Sequence, residues 1–183
     1  MIDSADRVCR SLLVVRCQGG DRAAFEELIE LHQQPLHYFI SKMVGNSHAA
    51  DDLSQEVWFE VFRGIARLAK PGAFPAWLYR IARHRVLRSL RQRRPPPTSL
   101  EGIDLPDESE AEDIFSAADA ERVHIALDQV APEYREVLLL RFIQDMTYED
   151  IARVTGCQLG TVRSRLHYAK RALRRVLERT AVT

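Results

Sequence analysis

Apolar residues recur along this chain at helical spacing, in blocks separated by polar, Pro- or Gly-containing breaks. Phe25, Leu28, Ile29, Leu36, Phe39, Ile40, Met43 and Val44 form the first stripe. Pro35 predicts a bend or break within it, and Gly45-Asn46 closes it. From Ala49 to Leu68, the side chains of Leu53, Val57, Val61 and Ile65 share one side. From Ala76 to Arg91, Leu78, Ala82, Val86 and Leu90 return every four residues. Val123, Ala126, Leu127 and Val130 make a further stripe. Pro132 suits the first turn of the next helix, which carries Val137, Leu138, Leu140 and Phe142. No repeat and no convincing strand alternation interrupts the pattern, which predicts an all-α protein.

The last block reads as two helices joined by a tight turn. Thr147 can cap a free backbone N–H, with Asp150 three residues on as a variant capping box, and Ile151 and Val154 supply apolar contacts. Gly156 can take the left-handed conformation that ends a helix. Cys157, Gln158 and Leu159 then bridge to a new start at Gly160 or Thr161. On that second helix Val162, Leu166, Ala169, Leu173, Val176 and Leu177 occupy one arc, and Arg163, Ser164, His167, Lys170, Arg171 and Arg174 the opposite one. A basic helix face alone is ordinarily just solvated, but the turn, the cap and the segregated faces together predict a helix-turn-helix that enters a DNA groove.

The polar faces of the earlier blocks differ in kind. Opposite the apolar side of residues 49–68 lie Asp51, Asp52, Gln55 and Glu56, with Phe59 among them. Three readings stay open: a docking surface for a partner protein, an ordinary wet face, and, more weakly, a divalent-cation site on Asp51, Asp52 and Glu56. The segment Lys70-Pro-Gly-Ala-Phe-Pro reads as a loop presenting Phe74. On the helix that follows, Arg80, Arg83, His84, Arg88 and Arg91 share one side, with Trp77 and Ile81 along its margin. Cations and aromatics beside a loop suit single-stranded nucleic acid, although each ring taken singly fits a core equally well.

Charge placement sharpens this picture. The 183 residues carry 26 basic and 26 acidic side chains, a net charge of zero. Yet residues 80–94 hold seven arginines and no acid, and residues 95–121 hold nine acids and no Lys or Arg. Two cationic surfaces separated by an anionic tether predict two nucleic-acid contacts. The tether, opening on Pro95-Pro-Pro, also sets the boundaries: an extension over 1–17, a domain over 18–94, an acidic Pro-containing linker over 95–117 and a second domain over 118–183. The expected architecture is two small helical domains joined by an acidic flexible linker.

No apolar run approaches membrane-spanning length and the start lacks the blocks of a signal peptide, so a cytoplasmic protein without membrane insertion is expected. Cys9, Cys17 and Cys157 show no metal-ligand spacing and are odd in number, which supports neither a disulfide framework nor a zinc site; a redox pair of Cys9 and Cys17 is a lesser alternative. No phosphate loop or nucleophile–base pair is in view. A stand-alone duplex-DNA regulator and a metal-dependent nuclease are the competing classes.

Asp51-Asp-Leu-Ser-Gln-Glu-Val-Trp58, Phe74-Pro-Ala-Trp-Leu-Tyr-Arg-Ile-Ala-Arg83, Tyr148-Glu-Asp-Ile-Ala and Gly160-Thr-Val-Arg-Ser-Arg-Leu166 together resemble the extracytoplasmic-function sigma factors of bacterial RNA polymerase, in family order. The resemblance implies a sigma-2 bundle, a sigma-4 helix-turn-helix and no catalytic residue, metal or cofactor. It implies that Asp51, Asp52, Gln55, Glu56 and Phe59 dock on the clamp helices of the polymerase large subunit. Phe74, Trp77, Arg80, Arg83, His84, Arg88 and Arg91 would melt and hold the minus-ten element of promoter DNA. Arg163, Ser164, His167 and Tyr168 would read the minus-35 duplex, while Arg165, Lys170, Arg171 and Arg174 hold phosphates. Control by a separate anti-sigma factor is a further implication. His84 and Arg88 stand where the family often has Asn and Asp, and His167-Tyr168 replaces a bulky residue followed by Arg.

Overall fold

The computed structural model describes residues 4–93 and 120–181. The acidic linker over 95–117, together with Arg94 and the last two residues, lies outside the described residues. Eight α-helices carry the described chain: α1 (Ser4–Gln18), α2 (Arg22–Val44), α3 (Ser47–Gly64), α4 (Phe74–Arg93), α5 (Ala120–Asp128), α6 (Pro132–Leu138), α7 (Tyr148–Thr155) and α8 (Leu159–Ala181). Short 3-10 turns at Ile65–Arg67 and Pro71–Ala73 connect α3 to α4. No strand occurs among the described residues.

Capping side chains set the starts of α2, α3 and α7. The Asp21 carboxylate accepts from Ala24 N–H at 3.1 Å to start α2, and Asn46 Oδ1 accepts from Ala49 N–H at 3.1 Å to start α3. Between α2 and α3, Gly45 sits at φ 68°, where a side chain would be strained. Of the expected bend or break at Pro35, the break does not occur: α2 runs through it, and Leu28, Leu36, Phe39 and Ile40, fully buried on both sides, fix the helix by packing. Each such side chain contributes roughly 1.5–3 kcal/mol of burial, comparable to the cost of an interior proline.

The first domain is a bundle of α1 to α4 around Leu28, Phe39, Ile40, Val57, Val61, Leu78 and Val86. The expected extension over 1–17 is part of it: Leu13, Val14 and Cys17 of α1 are buried against the bundle. Their short stripe lies ahead of the longer repeat that starts at Phe25 and was too brief to stand out. Cys9 is exposed and Cys17 buried, on one helix. Eight residues of helix separate them by about 12 Å, too far for a disulfide, so a redox pair is ruled out. Gly64 is required by close approach, since a Cβ there would meet the Trp77 ring at 3.0 Å.

His32 is buried in this core, its ring 5.4 Å from that of Phe74. Desolvation, helped by the Arg10 guanidinium, holds its pKa down at about 4 against 6.5 for a free imidazole. The unfolded chain therefore binds the extra proton first, and the stability present above pH 6.5 is lost as pH falls towards 4. Lowering the pH from 7 to 5 is expected to cost about 2 kcal/mol through this residue. Denaturant melts of the wild type and His32→Gln at both pH values check this; equal pH slopes would count against it.

The second domain packs α6 and α7 against α8, with α5 alongside α8. Between α6 and α7 the helix widens into a π turn over Leu139–Ile143, where Gln144 N–H reaches back to Leu139 C=O at 3.1 Å. Phe142 lies in this π turn and is 52% exposed, while Leu139 and Leu140 beside it are fully buried. The domains also touch each other. α4 lies against α7, α2 against α6, and the buried cluster is continuous from Leu13 to Val176.

Candidate nucleic-acid and polymerase interfaces

The helix-turn-helix forms as its caps dictate. Thr147 Oγ1 accepts from Asp150 N–H at 3.1 Å and donates to the Asp150 carboxylate at 2.9 Å, while Gly156, at φ 71°, donates its N–H to Ala152 C=O at 2.9 Å and ends α7. α8 then begins at Leu159, one residue before the expected start. Val162, Leu166, Ala169, Leu173 and Val176 are buried, so Arg163, His167, Arg171 and Arg174 project outward and exposed. Ser164, Arg165, Tyr168 and Lys170 are half-buried. The Ser164 hydroxyl donates to Thr161 C=O at 3.1 Å, Tyr168 leans towards Tyr134 with rings 6.3 Å apart, and the Lys170 ammonium lies 5.8 Å from the centre of the Phe142 ring. The outer edge of α8 is thus arginine and histidine, with aromatic-backed polar groups on its flank.

α4 presents its cationic stripe towards the second domain. Arg80, His84, Arg88 and Arg91 are exposed and Arg83 is half-buried. A groove of about 550 Å³ between α4 and α7 is lined by these arginines and, from the other wall, by Arg153. The aromatics behave differently from the sequence expectation. Phe74 is not on a presenting loop; it is the first residue of α4, 2% exposed, packed on His32 and 6.1 Å from the Trp77 ring. Its apolar ring is worth more in the core than on a Pro-Gly turn. Trp77 is half-buried over Gly64, and Ile81 is buried. Neither Phe74 nor Ile81 is open to a base in this conformation.

On α3 the side chains of Asp51, Asp52, Gln55, Glu56 and Phe59 are all exposed on the face away from Leu53, Val57 and Val61. Asp51 accepts from His37 at 2.8 Å if the ring carries the proton on Nε2, and Arg85 donates to Glu56 at 3.0 Å and to Glu60 at 2.8 Å. Asp51 and Glu56 therefore already have intramolecular partners, whereas among the described residues no ion pair or hydrogen bond engages the side chain of Asp52. No cluster of three or more His, Cys, Asp or Glu side chains converges among the described residues. Phe59 is 62% exposed with the Arg63 guanidinium 5.5 Å from its ring centre, and Phe62 is equally open beside Phe25. The sequence reading missed Phe62, three residues from Phe59 and so on the same face.

The reading also missed the residues that join the domains. Arg83 Nε donates to Glu136 Oε1 at 2.7 Å, and Glu136 is only 4% exposed. Burial pushes the Glu136 carboxyl above its ordinary range, and the Arg83 charge draws it part of the way back. Lys42 donates to Asp128 and to His124 C=O, each at 2.8 Å; the Tyr38 hydroxyl bonds His124 Nδ1; and Arg135 donates to Lys42 C=O. One signal for Glu136 was available, an acid one helical turn before Leu140 and immediately ahead of the apolar run Val137 to Leu140.

A helix-turn-helix with a cationic outer edge, in a chain whose other half carries a second arginine-lined helix, defines an all-helical DNA-binding transcription protein. Residues 28–95 match Sigma-70 region 2 and residues 120–173 match Sigma-70 region 4. The chain belongs to the extracytoplasmic-function sigma factors, which direct promoter-specific transcription initiation by RNA polymerase. It is 32% identical to the RNA polymerase sigma-H factor of Pseudomonas aeruginosa, over 91% of this chain and 92% of that protein. It is 28% identical to the ECF RNA polymerase sigma-E factor of Escherichia coli, over 92% and 94%. Among solved structures, CnrH in complex with the cytosolic domain of CnrY aligns with TM-score 0.68 at 23% identity, over 92% of this chain and 97% of that one. RpoE from Bartonella quintana, in complex with the anti-sigma factor NepR, aligns with TM-score 0.65 at 22% identity, over 84% and 96%. These two likenesses concern the fold. No described helix is long and apolar enough to cross a membrane.

Proposed function

We propose that the α3 face carrying Asp52, Gln55 and Phe59, with Asp51 and Glu56 behind their partners, docks on the clamp helices of core RNA polymerase. The α4 stripe of Arg80, Arg83, His84, Arg88 and Arg91 holds the melted minus-ten strand, and Trp77 is the aromatic nearest to it. Phe74 supports that helix from the core rather than stacking on a base. The outer edge of α8 enters the major groove at the minus-35 element, with Arg163 reading a base, His167 beside it, and Arg165, Lys170, Arg171 and Arg174 on phosphates. The observation that carries this reading is the segregation of apolar and cationic arcs on α8 behind a fully capped turn. Two of the solved neighbours are complexes, one of them with a named anti-sigma factor, and this supports control of this chain by a protein of that kind.

Run-off transcription with core polymerase on a promoter library tests the whole assignment; absence of start-site selection would overturn it. Arg163→Ala is expected to cost about 1–3 kcal/mol at one minus-35 position and to relax preference there, while Lys170→Ala weakens binding evenly across sequences. Matching sequence profiles for the two variants would remove the base-contact role of Arg163.

A further inference from the structure

One side chain on the outer edge of α8 is short, exposed and held by no polar contact. His167 lies one turn after Arg163 and one turn before Arg171, and among the described residues no hydrogen bond or ion pair engages its imidazole. What holds the ring is aromatic. Tyr168 meets it nearly edge-on, with centroids 5.6 Å apart and planes at 78°, and Tyr168 in turn leans on Tyr134 of α6 at 6.3 Å and 36°. Rings in such tilted pairs attract one another beyond the area they bury, so the three form a strut from α6 to the edge of α8.

The foot of the strut is firm. Tyr134 sits in the first turn of α6, where Pro132 fixes the backbone and the Tyr134 N–H donates to Ala131 C=O at 3.0 Å. Arg135 beside it ties down the preceding turn, donating to Asp128 C=O at 2.8 Å and to Val130 C=O at 3.0 Å. The Tyr134 side chain is half-buried and shares the lining of an open groove with Ala172 and Val176 of α8. An imidazole braced from such a seat gives up less freedom when a partner binds than a free-standing one.

We propose that Tyr134, acting through Tyr168, is a positioning residue for promoter sequence: it aims the His167 imidazole so that a ring N–H donates to a purine N7 in the major groove. This rests on the assignment of α8 to the minus-35 duplex and adds which residues set its preference at a second position. Four residues of helix separate His167 from Arg163, about 6 Å, so the purine lies about two base pairs from the base that Arg163 reads. Tyr168 is then a strut rather than a reader.

The test uses holoenzyme assembled from core polymerase and each full-length variant, with affinities measured on a duplex promoter library randomised across the minus-35 element. The wild type should favour a purine at one position by about fivefold, and His167→Ala should abolish that preference while leaving the one at the Arg163 position. Tyr134→Ala should abolish the same preference and Tyr134→Phe, which keeps the ring, should retain it. Tyr134→Ala in the His167→Ala background should change the profile no further, because the two residues act as a unit. Packing alone would behave differently, weakening binding evenly at every sequence and adding to the effect of His167→Ala. Melts by circular dichroism show whether Tyr134→Ala is folded; Tyr134→Leu, which fills the seat without a ring, carries the test if it is not. A purine preference that survives in the folded variant, or an even loss across all sequences, would overturn the positioning role. No minus-35 preference of any kind in the wild-type holoenzyme would overturn the assignment beneath the proposal, whereas a preference at the Arg163 position with none that depends on His167 would overturn the proposal alone.

Discussion

Asp52→Lys combined with Phe59→Ala is expected to cut the affinity for core RNA polymerase by about a thousandfold, the product of two interface losses of roughly 2 kcal/mol each. Phe59 presents a ring that is 62% exposed beside the equally open Phe62, an apolar surface suited to burial against a partner. Asp52 has no partner among the described residues, so reversing its charge sets a cation against the basic counterpart expected on the polymerase. Glu56 is the less informative choice, because its carboxylate is bound by Arg85 and a reversed charge there would repel Arg85 and disturb α4 as well. The double variant should melt within a few degrees of the wild type, since surface changes of this kind shift stability by about 0.5 kcal/mol. Anisotropy titration of labelled protein with core polymerase measures the loss; retained tight binding would move the docking surface elsewhere.

Phe39→Ala has the largest expected effect on the fold, about 3–5 kcal/mol. Its ring is fully buried and meets Tyr79 of α4 edge-to-face, 5.2 Å between centroids. The substitution opens a cavity between α2 and α4, the contact that sets which side of α4 looks outward. At roughly 2–4 °C per kcal/mol for a chain of this size, Tm should fall by about 6–20 °C. A drop below 3 °C by calorimetry would mean that Phe39 is not a keystone of the bundle. Because Arg80 and Arg88 ride on α4, strand binding should weaken in parallel even at temperatures where the variant is folded.

The helices were legible in the sequence wherever an apolar stripe was long and its ends were marked by caps. Gly45-Asn46 and Thr147 to Gly156 are the clearest cases, because there local chemistry and tertiary packing agree. Pro35 left a bend and a break both open, and burial on either side outweighed the local cost that would have broken the helix. The π turn at Leu139–Ile143 left no mark in the sequence, because no residue type signals it. Phe74 misled for a different reason: a Pro-Gly pair before it suggests a loop, but a turn can deliver a ring to the core as readily as to solvent. The acidic and basic faces were visible as patterns of residue type. Their internal pairings were not, because Arg85 with Glu56 spans 29 positions and Arg83 with Glu136 spans 53, distances over which no periodicity speaks.

One buried cluster holds Leu13 of α1 and Val176 of α8 alike, so residues of both bundles share a single apolar interior. Heat should therefore melt the two bundles in one cooperative step rather than one after the other, with the calorimetric and van't Hoff enthalpies in agreement.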